Sequence, residues 1–315
     1  MAKEFTLQSS EKITVFPELK FNNHWRIMWH SVPARDKWEQ LLDEARQFCS
    51  SLQLRLVEEE LRAAAVVKID SENFEKFTKK LMKRGLGYQL IDLQDSNPPG
   101  IYNWSRLGEE NEKMYLAVSR EIEKALAVKK ALAAENHEEA AGLLGCPECC
   151  IEKTVSSSPL LNEDGFWFTV EGSPFEVNRS DENYFYDLPA SADAELLSPL
   201  KYMEIYLLPY SPCSIDCEKS REFIDKTLEI GKQISPEKMK LIRHIHRWPL
   251  RWSCLKGLVF VSTPVFDLEA TSLPVYPELL VHLNGREYPK TGVEGIEFPW
   301  NTDLEQREIN LEIDQ

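Results

Sequence analysis

The chain has 315 residues, of which 43% are hydrophobic and 28% are charged, and its formal net charge at pH 7 is −15. This composition is that of a folded protein, and the length suits two domains because single cores stop growing at roughly 250–300 residues. The negative charge repels polyanions over most of the surface, which argues against general nucleic-acid binding. No apolar run approaches the roughly 20 residues that a membrane-spanning helix needs, and the N-terminus lacks the hydrophobic core of a secretory signal. We therefore expect a cytoplasmic protein that does not bind membranes.

Residues 1–96 are predicted to form a first domain with the βαββαβ order of a ferredoxin-like sandwich. The predicted elements are a strand over 24–30, a helix over 33–49, strands over 52–56 and 63–69, a helix over 71–85 and a strand over 88–93. The strand over 52–56 is predicted from leucines at alternate positions, Leu52, Leu54 and Leu56. The first helix carries Cys49 on its apolar face, where a lone cysteine is most often a small buried hydrophobe.

A run of turn-forming residues over 95–100 marks the predicted end of this domain. Residues 101–290 are predicted to form a mainly helical, cysteine-containing α+β domain, and residues 291–315 an acidic tail. The predicted fold class is thus α+β. The elements predicted in the second domain are a helix over 107–134, a short helix ending at Gly145, a helix capped by Ser214 or Asp216, a helix beginning at Pro236, and strands over 258–261 and 278–283.

The short helix has clear signals at both ends. Asn136 and Glu139 have the spacing of a capping box, and Gly145 has the position of the left-handed residue that ends many helices. Cys146 is therefore expected just beyond a helix end.

Five of the seven cysteines lie in two short segments. They are Cys146, Cys149, Cys150, Cys213 and Cys217. In a reducing compartment, clustered cysteines more often bind metal or carry out redox chemistry than form structural disulfides. Four or five thiolates suit either tetrahedral zinc or an iron–sulfur cluster, and the spacing does not separate the two. The adjacent pair Cys149 and Cys150 slightly favours the cluster. A structural zinc site normally takes one pair of cysteines from each segment, which would leave Cys150 without a role, whereas a redox or substrate-binding centre can use an additional thiol.

The second cysteine segment is predicted to lie at the first turn of a helix. Unpaired backbone N–H groups and the helix dipole stabilise anions there, which favours the thiolate form that metals bind. The solitary cysteines, Cys49 and Cys254, are expected to have structural roles.

Histidines and arginines form a second group of candidates, Arg243, His244, His246, Arg247 and Arg251. His246 is a candidate acid–base residue, and the guanidinium of Arg247 and its neighbours would suit a small anionic substrate. A structural or solvated role fits the same residues, so both interpretations remain open.

The two cysteine segments resemble a poorly characterised prokaryotic family that pairs a Leu-Gly-Tyr-Pro-x-Cys-Cys segment with a Pro-Cys-Ser-x-x-Cys-x-x-Ser segment. The cysteines and serine that match the two motifs are Cys149, Cys150, Cys213, Cys217 and Ser220. The similarity covers roughly residues 115–235. Cys146 departs from the pattern, since the family has an aromatic residue there. The family has no settled activity, so the resemblance implies a grouping and no function.

The leading hypothesis is a metal-binding protein with an iron–sulfur or zinc centre held by Cys149, Cys150, Cys213 and Cys217, with Cys146 as an extra ligand. Such a centre would suit a redox or sulfur-chemistry enzyme that acts on a small anionic substrate. One alternative is a non-catalytic adaptor that zinc stabilises and that binds a protein partner. Another is a metal-free enzyme whose cysteines exchange disulfides or carry a persulfide.

Overall fold

The structure is a computed structural model of the chain. It describes residues 3–6, 12–15, 25–91, 113–156, 169, 179–180, 185–188, 196, 200–246, 248, 250–253, 258–263, 265–271 and 282–283. Over these residues the fold is mixed helix and antiparallel sheet, as an α+β class requires. The predicted tail over 291–315 and the predicted boundary over 95–100 lie outside the described residues.

The helices of the described ranges are α1 (Val32–Glu58), α2 (Phe74–Lys83), α3 (Ile122–Ala133), α4 (His137–Leu143), α5 (Glu148–Ser156), α6 (Glu218–Ile234) and α7 (Pro236–His246). The strands are β1 (Lys3–Thr6), β2 (Lys12–Val15), β3 (Trp25–Trp29), β4 (Ala64–Asp70), β5 (Gly87–Ile91), β6 (Lys113–Ser119), β7 (Arg179–Ser180), β8 (Phe185–Leu188), β9 (Leu250–Ser253), β10 (Leu258–Ser262), β11 (Phe266–Thr271) and β12 (His282–Leu283). The predictions of α2, α4, α6, α7 and β10 are confirmed.

The strands form three sheets with the orders β1-β2-β12, β3-β11-β10-β9-β8-β7 and β4-β6-β5. The ferredoxin-like order is not confirmed, for two reasons. The first predicted strand, β3, pairs with β11 rather than with β4. The second predicted strand, over 52–56, is the last part of α1.

The C-terminal part of α1 lies between two cores, which explains the misleading leucine pattern. Leu52 and Leu56 pack in the main core, whereas Leu54 and Val57 pack in a second core beneath the sheet β4-β6-β5. A helix that is buried on more than one face loses the 3.6-residue period that normally identifies it.

The segment over 113–119 was predicted to be helical and is strand β6 instead. β6 is the central strand of its sheet and is covered on both faces: Tyr115 and Ala117 face one core, and Leu116 and Val118 face another. The sequence of such a strand is a continuous run of apolar residues, without the alternation of apolar and polar residues that identifies a half-buried strand. Because β6 pairs with β4 and β5, this sheet joins segments from both sides of the predicted domain boundary.

The main core holds the two cysteine segments in place. α1 contributes Trp38, whose ring meets that of Trp248 edge to face at 5.7 Å, and Trp248 meets Phe266 of β11 at 5.3 Å. The buried side chains of Cys150 and Cys217 belong to the same core. The cysteine segments are therefore attached to a packed scaffold rather than to free loops.

Candidate metal centre

The first cysteine segment begins at the end of α4, where the capping prediction is confirmed. Asn136 Oδ1 accepts a hydrogen bond from the backbone N–H of Glu139 (3.3 Å) at the start of the helix. At its end, Gly145 has φ +88°, and the Cys146 N–H donates to the carbonyl oxygen of Ala141 (2.9 Å). This glycine-centred end turns the chain sharply towards the next helix.

Cys149 and Cys150 lie in the first turn of α5, which begins at Glu148. The sequence predicted a helix end just before this segment but not the start of a new helix within it. The N–H groups of Cys150 and Ile151 both donate to the carbonyl oxygen of Pro147, at 2.9 and 3.0 Å. The two thiols are consequently held at the positive end of a helix dipole.

The second cysteine segment enters α6 in a similar way. Cys217 is the N-cap residue of α6, in place of the predicted caps Ser214 and Asp216, and its N–H donates to the carbonyl oxygen of Ser214 (3.3 Å). Cys213 lies in the turn that precedes the helix. The N-terminal ends of α5 and α6 thus bring their cysteines to one place.

The sulfur atoms of Cys149, Cys150, Cys213 and Cys217 all lie within 4.8 Å of one another. Three of the sulfurs form a nearly equilateral triangle. Cys149 Sγ lies 4.0 Å from Cys150 Sγ and 3.8 Å from Cys217 Sγ, and the last two sulfurs are 3.7 Å apart. Among the described residues these four form a group that could hold a metal ion.

Backbone and side-chain groups of the surrounding scaffold point at Cys150. The N–H of Cys213 donates to Cys150 Sγ (3.3 Å), and Ser220 Oγ lies 3.5 Å from the same sulfur. The Tyr210 hydroxyl in turn donates to Ser220 Oγ (3.3 Å). An N–H that donates to sulfur stabilises its thiolate, which suits a metal ligand.

The thiols of the group form a network of contacts that shifts their pKa values in opposite directions. Hydrogen bonds from the thiols of Cys150 and Cys213 lower the pKa of Cys217. The pKa of Cys150 is raised by its contact with the Cys146 thiol, and that of Cys213 is raised chiefly by Cys150. Soft thiolate ligands of this kind select zinc and iron–sulfur centres, and a bound ion would replace the protons of the network.

The group lies at the protein surface with one edge open. Cys150 and Cys217 are buried, Cys213 is half-buried and Cys149 is exposed. An ion at the centre of the four sulfurs would thus be shielded by the main core on one side and reachable through Cys149 on the other.

The remaining cysteines are not part of the group of four sulfurs. Cys146 is half-buried between the main core and the core beneath α3 and α4, close enough to Cys150 to raise the pKa of that thiol. Its role as an extra ligand stays a prediction. Cys49 is fully buried in α1, as expected, and burial raises its pKa to about 12. Cys254 lies outside the described residues.

His246 lies at the end of α7 and is fully buried. Neither ring nitrogen has a hydrogen-bond partner among the described residues, and burial lowers the pKa of His246 to about 4. A neutral ring inside the core cannot meet a dissolved substrate, so this arrangement does not support the acid–base role that was predicted. Arg247 lies outside the described part of the chain.

The sequence did not reveal the buried polar residues that lie next to the two cysteine segments. Tyr210 and Arg62 are buried, and the charge of Arg62 acts on the hydroxyl groups of Tyr206 and Tyr210. The sequence does contain one sign of this burial. Arg62 lies between Leu61 and an apolar run that begins at residue 63, which indicates a buried position. An arginine is kept at such a position only where its charge has polar partners.

Comparison with known proteins gave no match to a family model, to a curated protein or to a solved structure. Within the described ranges, no helix is both long enough and apolar enough to cross a membrane.

Proposed function

We propose that the protein binds a single zinc ion through Cys149, Cys150, Cys213 and Cys217. The observation that carries this proposal is the spacing of the sulfurs. In a tetrahedron with zinc–sulfur bonds of about 2.3 Å, neighbouring sulfurs are about 3.8 Å apart. The three distances above, from 3.7 to 4.0 Å, bracket this value.

An iron–sulfur cluster is the weaker candidate. Its iron and sulfide atoms occupy the space between the cysteine sulfurs, so the four thiolates of a cluster stand farther apart than those that share one ion. The present sulfur group, all within 4.8 Å, is compact enough for a single ion. We therefore favour zinc over the cluster that the adjacent cysteines suggested.

The role we propose for zinc is structural. Four protein ligands leave no open position for a substrate or an activated water, which catalytic zinc sites keep. Cys149 and Cys217 are 68 residues apart in the chain, so the ion would close a long loop and stabilise the folded state. This role suits the adaptor hypothesis, in which the zinc-stabilised chain binds a protein partner.

A second candidate function is metal-free thiol chemistry. It is favoured by the exposed Cys149 thiol, which lies 3.8 Å from the sulfur of Cys217, whose pKa is lowered by its neighbouring thiols. In this chemistry the exposed Cys149 passes its proton to Cys217, attacks a substrate disulfide and expels one substrate thiolate. Cys217 then attacks the sulfur of Cys149 and displaces the second substrate thiolate, which takes the proton of Cys217, and this leaves a Cys149–Cys217 disulfide and a reduced substrate. Intact-mass measurement of the native protein distinguishes this form, because the disulfide lowers the mass by two hydrogens and retains no zinc.

The family resemblance stays part of the proposal. It is supported by the position of the matched residues: the four cysteines form one group, and Ser220 Oγ lies 3.5 Å from Cys150 Sγ. Cys146, the position that departs from the family pattern, is the one cysteine of the two segments that lies outside the group.

Metal analysis of two variants tests the ligand set. Wild-type protein purified without oxygen should contain one zinc per chain and have no visible absorption. Cys149→Ser should lose most of the zinc, because one tetrahedral ligand is missing. The matched control Cys146→Ser, in the same segment, should keep it. Equal zinc loss in both variants, or a brown iron-containing wild type, would contradict the proposal.

A further inference from the structure

Arg62 is a buried cation whose partners are neutral. Only 4% of its surface is exposed. Its Nε donates to the carbonyl oxygen of Ala64 (2.6 Å), and its Nη1 donates to Gln53 Oε1. Among the described residues it forms no ion pair with a carboxylate. A guanidinium stays protonated even though burial lowers the pKa of Arg62 to about 10. A buried charge without a counter-ion is costly, so a site for an anion nearby would compensate it.

The contact with Arg62 fixes the orientation of Gln53. Guanidinium groups donate hydrogen bonds and cannot accept them, so the amide atom that faces Arg62 must be the oxygen. The other end, Nε2, is a donor. It has no partner among the described residues although Gln53 is only 1% exposed. A buried donor without a partner is uncommon and indicates a bound water, ion or ligand.

Gln53 lines a small cavity between α1, β4, β6 and the segment over 204–206. The cavity has a volume of about 30 Å³ and is lined by Ser50, Gln53, Val66, Val67, Lys68, Tyr115, Glu204 and Tyr206. Because one water needs about 10–15 Å³ by this measure, the space holds two or so atoms of that size. The two oxygens of a carboxylate have this size.

The charges around the cavity favour an anion. Lys68 Nζ lies 3.3 Å from Glu204 Oε1, so these two side chains offset each other at the rim. Arg62, which contacts the cavity-lining Gln53, has no carboxylate partner of its own among the described residues. The hydroxyl of Tyr206 stays protonated, because burial raises its pKa, and it adds a further donor.

Glu204 has a left-handed backbone conformation, which Glu60 and Glu135 also adopt. Its φ of 62° places it in the left-handed region, which costs a non-glycine residue of order 1 kcal/mol or more. This conformation ends the turn over Lys201–Met203, and the Glu204 side chain lies beside Lys68. The turn holds the Glu204 carboxylate at the rim of the cavity, where it pairs with Lys68.

We propose that this cavity binds a small monoanion through a carboxylate or a similar planar oxyanion group, with Gln53 Nε2 and the Lys68 ammonium as donors. Formate and bicarbonate have this chemistry, as does the terminal carboxylate of a longer molecule that enters past Lys68 and Glu204. The anion supplies the charge that Arg62 lacks. The site does not depend on the proposed zinc.

Thermal unfolding in sodium formate, compared with sodium chloride at equal ionic strength, tests this site on the full chain. The midpoint should rise with formate concentration and not with chloride. Gln53→Glu should weaken formate binding at least tenfold, because it replaces the donor with a carboxylate oxygen and adds the missing negative charge. This variant retains an acceptor for Arg62 and should therefore fold.

Gln40→Glu is the matched control, since it adds the same charge to an exposed position of the same helix and should leave formate binding unchanged. Bicarbonate and acetate titrations separate a preference for size from a general response to carboxylates. Equal midpoints in formate and chloride would mean that the cavity holds water only and would overturn the proposal, as would unchanged binding by Gln53→Glu. Cys149→Ser should lose zinc and unfold at a lower midpoint, yet that midpoint should still rise with formate as in the wild type, which separates this site from the metal centre.

Discussion

At the scale of single residues, the buried ring of His246 gives the clearest prediction of how the stability of the fold depends on pH. Burial lowers its pKa from 6.5 to about 4 in the folded protein. The unfolded chain therefore takes up a proton on this ring between pH 6.5 and 4 while the folded protein does not. Its contribution to stability is fully present above pH 6.5 and is lost as the pH falls to 4, by about 3 kcal/mol at most.

The variant His246→Met isolates this contribution, because methionine fills a similar volume and does not titrate. Urea unfolding at several pH values should show a steeper loss of the free energy of unfolding below pH 6.5 for the wild type than for the variant. Parallel curves for the two proteins would mean that the ring is accessible to protons in the folded state.

The residue types in the sequence indicate which side chains can bind metal or take part in chemistry, but they do not show how these side chains are placed relative to one another. The identities and spacing of Cys149, Cys150, Cys213 and Cys217 were enough to predict one shared group. The cavity was not predictable, because the orphaned end of Gln53 is fixed by Arg62, nine positions later, and by a fold that buries both. No local pattern in the sequence carries that information.

At the scale of secondary-structure elements, the end of α4 is the most sensitive point of the site. Gly145 has φ +88°, and a Cβ built there would lie 3.0 Å from Arg62 Cβ and 3.3 Å from Phe223 Cε2. Any side chain would strain the backbone and also push apart the loop before β4 and the helix α6. Gly85 offers a matched comparison, because its φ is +73° and nothing lies within 4 Å of the added atom.

Gly85→Ala should therefore cost about 1 kcal/mol from backbone strain alone, and Gly145→Ala about 2–4 kcal/mol from strain and crowding together. Urea unfolding of both variants measures the difference. Gly145→Ala should also weaken zinc binding, since the glycine directs the chain into Cys149 and Cys150. Equal costs for the two substitutions would show that the contact with Arg62 can relax.

Elements with one polar face were predictable, and elements buried on two faces were not. α2 and α6 show the 3.6-residue period over their whole length, and both were predicted. The last turns of α1 and the strand β6 contact two cores each. The spacing of their apolar residues therefore no longer shows the period of a helix or of a half-buried strand.

At the scale of the whole molecule, the main core unites distant parts of the chain. α1 contributes Trp38, Leu42 and Leu52 to a core whose other members come from residues 150–268. The pairing of β3 with β11 joins the same regions through backbone hydrogen bonds. Such pairings are set by tertiary packing, so composition and local pattern gave the α+β class but not the order of the strands.

A fragment over residues 101–290, the predicted second domain, should consequently not fold cooperatively. It lacks α1 and β3, and fully burying large apolar side chains contributes about 1.5–3 kcal/mol each. Circular dichroism should show a broad thermal transition for the fragment and a sharp one for the full chain. A sharp transition in the fragment would show that the core forms without α1.

The most direct test of the proposed centre is zinc X-ray absorption on the full chain purified without oxygen. We expect one zinc per chain, surrounded by four sulfur atoms at about 2.3 Å. Nitrogen or oxygen atoms in the coordination shell, fewer than four sulfurs, or iron in place of zinc would contradict the assignment of Cys149, Cys150, Cys213 and Cys217 as the ligands of one structural zinc ion.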